Sequence, residues 1–248
     1  MKKAIWFSLG MVFLCTGCIL TGCIPPKIIN HPAPDLKVDF TPFENSGCPL
    51  NESGYTRLCQ EDSVLYTLGC DRIAEVPDQF SGLSPAYPMA ICTYVPMWRP
   101  DVADPHNTPA SEYFYNVGGP MPMLVRYVIF VDSEFRLVKN ADEFRAVFGP
   151  VESPDEALSF SLALADVFPL YDLKFNLKYR YEVRILEETY VETTGDGYIV
   201  HVFDYQFFGC GPHYYYAVDL NVTPDGRVGE ISRTKIYRNP LMDGLCQD

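Results

Sequence analysis

Tyr179–Tyr237 reads YRYEVRILEETYVETTGDGYIVHVFDYQFFGCGPHYYYAVDLNVTPDGRVGEISRTKIY, and its period sets the fold class. Leu177, Tyr179, Tyr181, Val183 and Ile185 alternate with Lys178, Arg180, Glu182 and Arg184. A two-residue period of this kind separates an apolar from a charged strand face. Thr194-Gly195-Asp196-Gly197 supplies turn chemistry, because glycine takes positive φ without a Cβ clash. Tyr198–Phe207 is largely apolar on both sides, which predicts a central strand. Phe208–Pro212 breaks it, and His213–Val222 alternates again. Pro224-Asp225-Gly226 then turns the chain into a last strand, Val228–Tyr237. Short links between consecutive strands predict an antiparallel meander.

The helix that covers this sheet is written just upstream. Ser153-Pro154-Asp155-Glu156 combines an N-cap serine, a proline at the first helical position and a glutamate that reaches back. The helix is expected to run to about Asp166, with Leu158, Leu162 and Ala165 on a wide apolar face suited to lying across a sheet. Asn140 and Glu143 open a shorter helix through Phe148, stopped by Gly149-Pro150. Before it, Met123–Val131 and Phe135–Lys139 form a hairpin about Asp132-Ser133-Glu134.

The N-terminal half has a different character. Met1-Lys2-Lys3 and the apolar run to Leu20 form a secretory signal, and Leu20-Thr21-Gly22-Cys23 resembles the bacterial lipoprotein box. The resemblance implies cleavage after residue 22 and acylation of Cys23, with palmitate and related chains holding the protein to a membrane. Ile24 stands where an aspartate would favour inner-membrane retention, so the outer membrane or cell surface is expected. Residues 23–46, with Pro25, Pro26, Pro32, Pro34 and Pro42, read as an extended tether with no role beyond reach. Residues 47–110 read as an irregular, cysteine-rich, disulfide-stapled lobe, and residues 111–248 as the α+β sheet domain.

Removal of the leader with Cys15 and Cys18, and assignment of Cys23 to lipid, leaves six cysteines. In an exported chain these suggest three disulfides. The expected pairings are Cys210–Cys246, Cys48–Cys59 and Cys70–Cys92.

The chain carries 32 acidic and 19 basic residues, a net charge of −13. That excess argues against nucleic acid as a partner, and against docking on anionic lipid through a basic patch. Cys210-Gly211-Pro212-His213 is the most enzyme-like feature, a thiol near an imidazole that could make a thiolate nucleophile. The even cysteine count and oxidising compartment favour a disulfide there, so no catalytic residue is assigned. His31, His106, His201 and His213 are scattered, and no CxxC or HExxH occurs, so no metal site is expected. Asp132-Ser133-Glu134, Asp196-Gly197 and Asp225-Gly226 lack the ligand spacing of a calcium loop and read as turns. Glu187, Glu188 and Glu192 read as a solvated strand edge. Nucleotide and hydrolase motifs are missing, and no cofactor is expected. Tyrosines crowd neighbouring strands at Tyr179, Tyr181, Tyr205, Tyr214, Tyr215 and Tyr216. Such a face can bind a glycan or a partner protein, with Tyr179, Tyr181, Tyr215 and His213 the candidate binding residues; the plainer account is cross-strand pairing and core.

Two resemblances follow from quoted segments. Glu156-Ala157-Leu158 to Asp166, Gly197-Tyr198-Ile199-Val200 and Val222–Val228 resemble the helix-then-strands order of PepSY and cystatin-like domains. That order implies a protease modulator or inhibitor, though no inhibitory motif transfers residue by residue. The segments FGPVESPDEALSF and FFGCGPH and the ending LCQD are similar to a group of bacterial lipoproteins without an assigned activity, which adds localisation only. The expectation is therefore a lipid-anchored, non-enzymatic binding module of the cell envelope, and the alternatives are an envelope-protease modulator or an enzyme using Cys210 and His213.

Overall fold

A computed structural model describes residues 25–50, 57–99, 102, 104, 106–206 and 208–247. The expected leader and the expected acylation site, Cys23, lie outside the described residues. In chain order, β1 (Lys27–Ile29) and α1 (Thr41–Glu44) precede β2 (Arg57–Leu58) and α2 (Val64–Thr67). Strands β3 (Arg72–Glu75), β4 (Met89–Tyr94), β5 (Leu124–Val131) and β6 (Glu134–Val138) follow, then helices α3 (Ala141–Phe148) and α4 (Pro154–Leu164). The C-terminal part holds β7 (Arg180–Tyr181), β8 (Ile185–Glu187), β9 (Tyr190–Thr194) and β10 (Gly197–Tyr205). It ends with β11 (Gly209–Cys210), β12 (Tyr214–Val222), β13 (Val228–Arg238) and β14 (Cys246–Gln247).

The fold is α+β, with two five-stranded antiparallel sheets of order β2-β3-β4-β5-β6 and β7-β13-β12-β10-β9. Helix α4 lies between them. Its capping box forms as written: Ser153 Oγ accepts from Glu156 N–H at 3.2 Å, and Glu156 Oε2 accepts from Ser153 N–H at 2.9 Å. The apolar stripe expected on one face is a buried girdle instead, with Ser159 and Ser161 inside it. Glu156 to Ala163 are buried without a break, because a sheet covers the helix on each side. Val125, Tyr127 and Ile129 of β5 meet it from one direction, and Val200, Val202, Val218 and Leu220 from the other. Tyr127 Oη donates to Ala163 O at 3.2 Å, and Phe160 packs edge-on to Phe144 with centroids 5.1 Å apart. Each large apolar side chain buried here contributes roughly 1.5–3 kcal/mol relative to exposure.

The outer faces carry two smaller cores. Phe43, Leu65, Ile73, Ala90 and Val128 cluster on the first sheet beside Cys48, Cys70 and Cys92. The disulfides Cys48–Cys59 and Cys70–Cys92 staple this layer. On the second sheet, Phe203, Ile236 and Tyr237 are covered by Leu186, Phe168, Leu173, Tyr179 and Val183.

Three expectations change. Residues 23–46 do not read as a free tether over their described part. Lys27–Ile29 pairs in parallel with Ile185–Glu187, and Phe43 is fully buried in the first sheet's outer core. Residues 47–110 are not wholly irregular: they supply β2, β3 and β4 to the same sheet as the 124–138 hairpin. Residues 177–185 do not form a continuous strand: Arg180–Tyr181 pairs with Tyr237 and Arg238, and Ile185 begins a separate strand that pairs with Lys27. Their alternation holds between 178 and 184, while Leu177 and Ile185 at its ends are exposed. Tyr179, Tyr181 and Val183 pack on the second sheet while Lys178, Arg180, Glu182 and Arg184 face solvent. Period two reports which side chains are buried, and it does not require a hydrogen-bonded neighbour.

Candidate functional site

Cys210 and His213 come first, because they carried the one catalytic possibility. Cys210 is bonded to Cys246, so no thiolate is present there. The link closes the short β11–β14 pair, in which Cys210 lies opposite Cys246. His213 is buried, with Nδ1 2.9 Å from Gln206 O and Nε2 3.1 Å from Leu245 O. Its ring joins the end of β10 to the C-terminal tail. The His213 candidate is thus a structural strut away from the tyrosine cluster's open edge.

The tyrosines do assemble. Tyr181, Tyr237, Tyr215 and Tyr205 are direct cross-strand partners along β7, β13, β12 and β10. Tyr215 stacks on Tyr237 with centroids 4.6 Å apart, and Tyr179 stacks on the same ring at 4.9 Å. Burial, then the neighbouring phenols, pushes Tyr237 and Tyr215 above the ordinary tyrosine range. Tyr214 and Tyr216 point the other way: Tyr216 packs on the central core, and Lys235 Nζ sits 4.4 Å from the Tyr214 ring centroid. Most of the tyrosines are therefore cross-strand core. Tyr215 belongs to that core, whereas Tyr179 and Tyr181 reach an opening at its edge.

That opening is a groove of about 400 Å³ lined by Pro25, Pro26, Phe175, Tyr179, Tyr181 and Pro240, with Leu177, Lys178 and Arg180. Phe175 stacks on Tyr181 at 5.4 Å, and Tyr181 Oη accepts from Asn176 N–H at 3.0 Å, which holds the ring in place. Leu177 is 88% exposed, as befits a residue with no strand partner to bury it. Pro25, Pro26 and Phe175 were missed by sequence reasoning. The only signal for them was proximity, Phe175 to Tyr179 in the chain.

A polar row crosses the same sheet face. Tyr190, His201, Asp219 and Ser232 are successive cross-strand partners on β9, β10, β12 and β13. His201 Nδ1 lies 2.7 Å from Asp219 Oδ1, and Ser232 Oγ donates to Asp219 Oδ2 at 2.7 Å. The serine thus bonds the carboxylate and not the imidazole, which is not the order a serine-hydrolase relay needs. His31 and His201 each pack on Tyr190 at 5.0 Å, and His31 Nε2 lies 2.9 Å from Glu187 Oε1. Among the described residues, no group of three or more His, Cys, Asp or Glu side chains could hold a metal ion.

Glu188 corrects the solvated-edge reading most clearly. It is 1% exposed and anchors the N-terminal arm. Its Oε1 accepts from Asn30 Nδ2 and Leu173 N–H, each at 2.5 Å, and its Oε2 accepts from His31 N–H at 2.8 Å. Burial pushes this carboxyl up, but the donors from His31, Leu173 and Asn30 more than offset it and hold it below the usual range. The clamp brings Pro25 and Pro26 to the groove.

Comparison with protein-family models, with curated proteins and with solved structures returns no match.

Proposed function

We propose that this protein is a lipid-anchored, extracytoplasmic interaction module of the cell envelope, which works by binding an envelope component through the groove at Tyr179 and Tyr181. The observation that carries this reading is the composition of the groove wall. Aromatic and apolar side chains from residues 175–181 meet Pro25 and Pro26, the second and third residues after Cys23 of the lipoprotein-like motif. Concave, mostly apolar sites with a few polar groups are the usual form of binding sites. Three disulfides fit an oxidising, extracytoplasmic compartment. With Cys210 in a disulfide, binding is favoured over thiol chemistry. Among the described residues no helix is long and apolar enough to cross a membrane.

Two measurements test it. Cells expressing the full chain incorporate a labelled fatty acid, and Cys23→Ala abolishes incorporation. Crosslinking from position 177 in the envelope then captures a partner, and Tyr181→Ala reduces the yield. Acylation that survives Cys23→Ala overturns the anchor, and crosslinking indifferent to Tyr181 overturns the binding face. An envelope protease among the captured partners would support the modulator reading, and a rise in melting temperature with a glycan would name a sugar.

A further inference from the structure

The groove and its surroundings point to a particular partner. We infer that this face docks on the lipid surface itself, with Phe175, Leu177 and Leu241 entering the headgroup–acyl boundary and basic side chains meeting anionic headgroups. The inference rests on the anchored, groove-facing reading above and names what the groove faces.

Three observations carry it. Large apolar side chains stand unprotected together: Leu177 at 88% and Phe175 at 40% exposure line the groove, and Leu241, at 80%, adjoins the groove residue Pro240. Contiguous exposed apolar surface beside aromatic rings is what an interfacial protein places at the bilayer boundary.

Charge is the second. The chain as a whole is strongly acidic, yet exposed Lys174, Lys178, Arg180 and Arg184 cluster within eleven residues with Glu182 as the one acid among them. Glu182 pairs with Arg180 at 3.7 Å and lies 3.9 Å from Arg238, which also pairs with Asp243, so Lys174, Lys178 and Arg184 carry the excess positive charge. Lys27 joins the group, since its N–H donates to Arg184 O at 2.9 Å. The sequence-wide balance argued against a basic patch, but net charge says nothing of distribution: the fold sets Lys178 and Arg180 in the groove wall and Lys27 beside Arg184, and holds Glu182 and Asp243 in ion pairs with arginines. Anionic lipid attracts such a face within a Debye length.

The third is the reach of the chain. Pro25 lies in the groove wall, two positions after Cys23 with Ile24 alone between them. Two extended residues span at most about 7 Å. An acyl chain on Cys23 therefore holds the groove close to the bilayer surface.

The mature chain from residue 24, which keeps all three disulfides and lacks the acyl group, is tested by flotation with phosphatidylethanolamine–phosphatidylglycerol vesicles and with phosphatidylcholine vesicles. Binding is expected to the anionic vesicles and to weaken with salt. Lys178→Glu with Arg180→Glu weakens it about 10-fold or more. Leu177→Asp with Leu241→Asp weakens it to a similar extent, while circular dichroism and the thiol count stay as in the parent because these side chains are exposed. Absence of flotation at low salt, or both double variants floating like the parent, overturns the inference. So does a dimer in solution that Leu177→Asp dissolves, which makes the face a self-interface. Fatty-acid labelling of Cys23 decides the anchor separately. Labelling without flotation removes the docking surface alone, and flotation without labelling removes the anchor alone.

Discussion

Replacement of Glu188 is the sharpest probe of how the N-terminal arm is held. The carboxylate serves three donors, two of them backbone N–H groups from His31 and Leu173. A hydrogen bond to a charged acceptor contributes about 1.5–3 kcal/mol, and a buried donor left without one costs a comparable amount. Three such losses would sum to well over 5 kcal/mol if everything stayed in place. It need not, because β1 holds β8 through only three paired residues and can lift away. Release of the arm caps the cost, so Glu188→Ala is expected to destabilise by about 3–5 kcal/mol. Glu188→Gln keeps one acceptor and sets an amide N–H₂ against a donor, for about 1–3 kcal/mol. The sign with pH follows from the depressed carboxyl. Its stabilisation is fully present above the ordinary value of 4.5 and is lost as pH falls through the lower folded value. The acid limb of the stability curve should therefore flatten in Glu188→Gln. Urea unfolding gives the magnitude, and hydrogen exchange at residues 27–31 and 170–174 locates it. A Glu188→Ala protein within about 0.5 kcal/mol of the parent, with those amides still protected, would refute the clamp.

Other perturbations separate the remaining layers. Cys210→Ser with Cys246→Ser opens a 36-residue separation, for which chain entropy alone predicts about 4 kcal/mol; exchange should rise at residues 239–247 while β10 and β12 stay protected, and a thiol count on the unmodified mature chain should find none among the six. Gly226→Ala puts a Cβ 2.6 Å from Phe160 at φ +76°, so a loss of about 1–3 kcal/mol is expected in urea. Gly195→Ala, with nothing within 4 Å, should change stability by less than about 0.5 kcal/mol, and equal effects would sink the distinction. Burial raises the phenols of Tyr127, Tyr215 and Tyr237, and pushes Tyr171 up to about 12. A raised pKa favours the protonated folded form, so this stability is present below the unfolded value near 10 and is lost as pH rises. In a phenolate absorbance titration Tyr127 and Tyr237 should ionise only with alkaline unfolding.

Much of the fold was legible. The capping box at Ser153 and Glu156, the 123–139 hairpin and the turns at 194–197 and 224–226 are local features, and each formed where local chemistry placed it. The three disulfides joined the expected partners as well. The candidate site was legible only in part. Tyr179 and Tyr181 reach the groove, whereas Tyr215 is core, His213 braces the tail and Cys210 is consumed in a bond. A cluster of tyrosines has the same spacing whether it binds a partner or pairs across strands.

By itself, then, the sequence determined the elements whose causes lie within a few residues: caps, turns, hairpins and the alternation of buried with exposed side chains. Tertiary structure decided what those faces meet. A second sheet buries the far side of α4, which its apolar content allowed but could not require. Glu188 became an anchor because donors from as far as 158 residues away converge on it, and no local pattern distinguishes that carboxylate from Glu187 beside it. The same holds for charge. Composition determines a net of −13, but only the folded chain places Lys27 beside Arg184 and gathers cations around the groove, because electrostatic potential depends on distance and not on order along the chain.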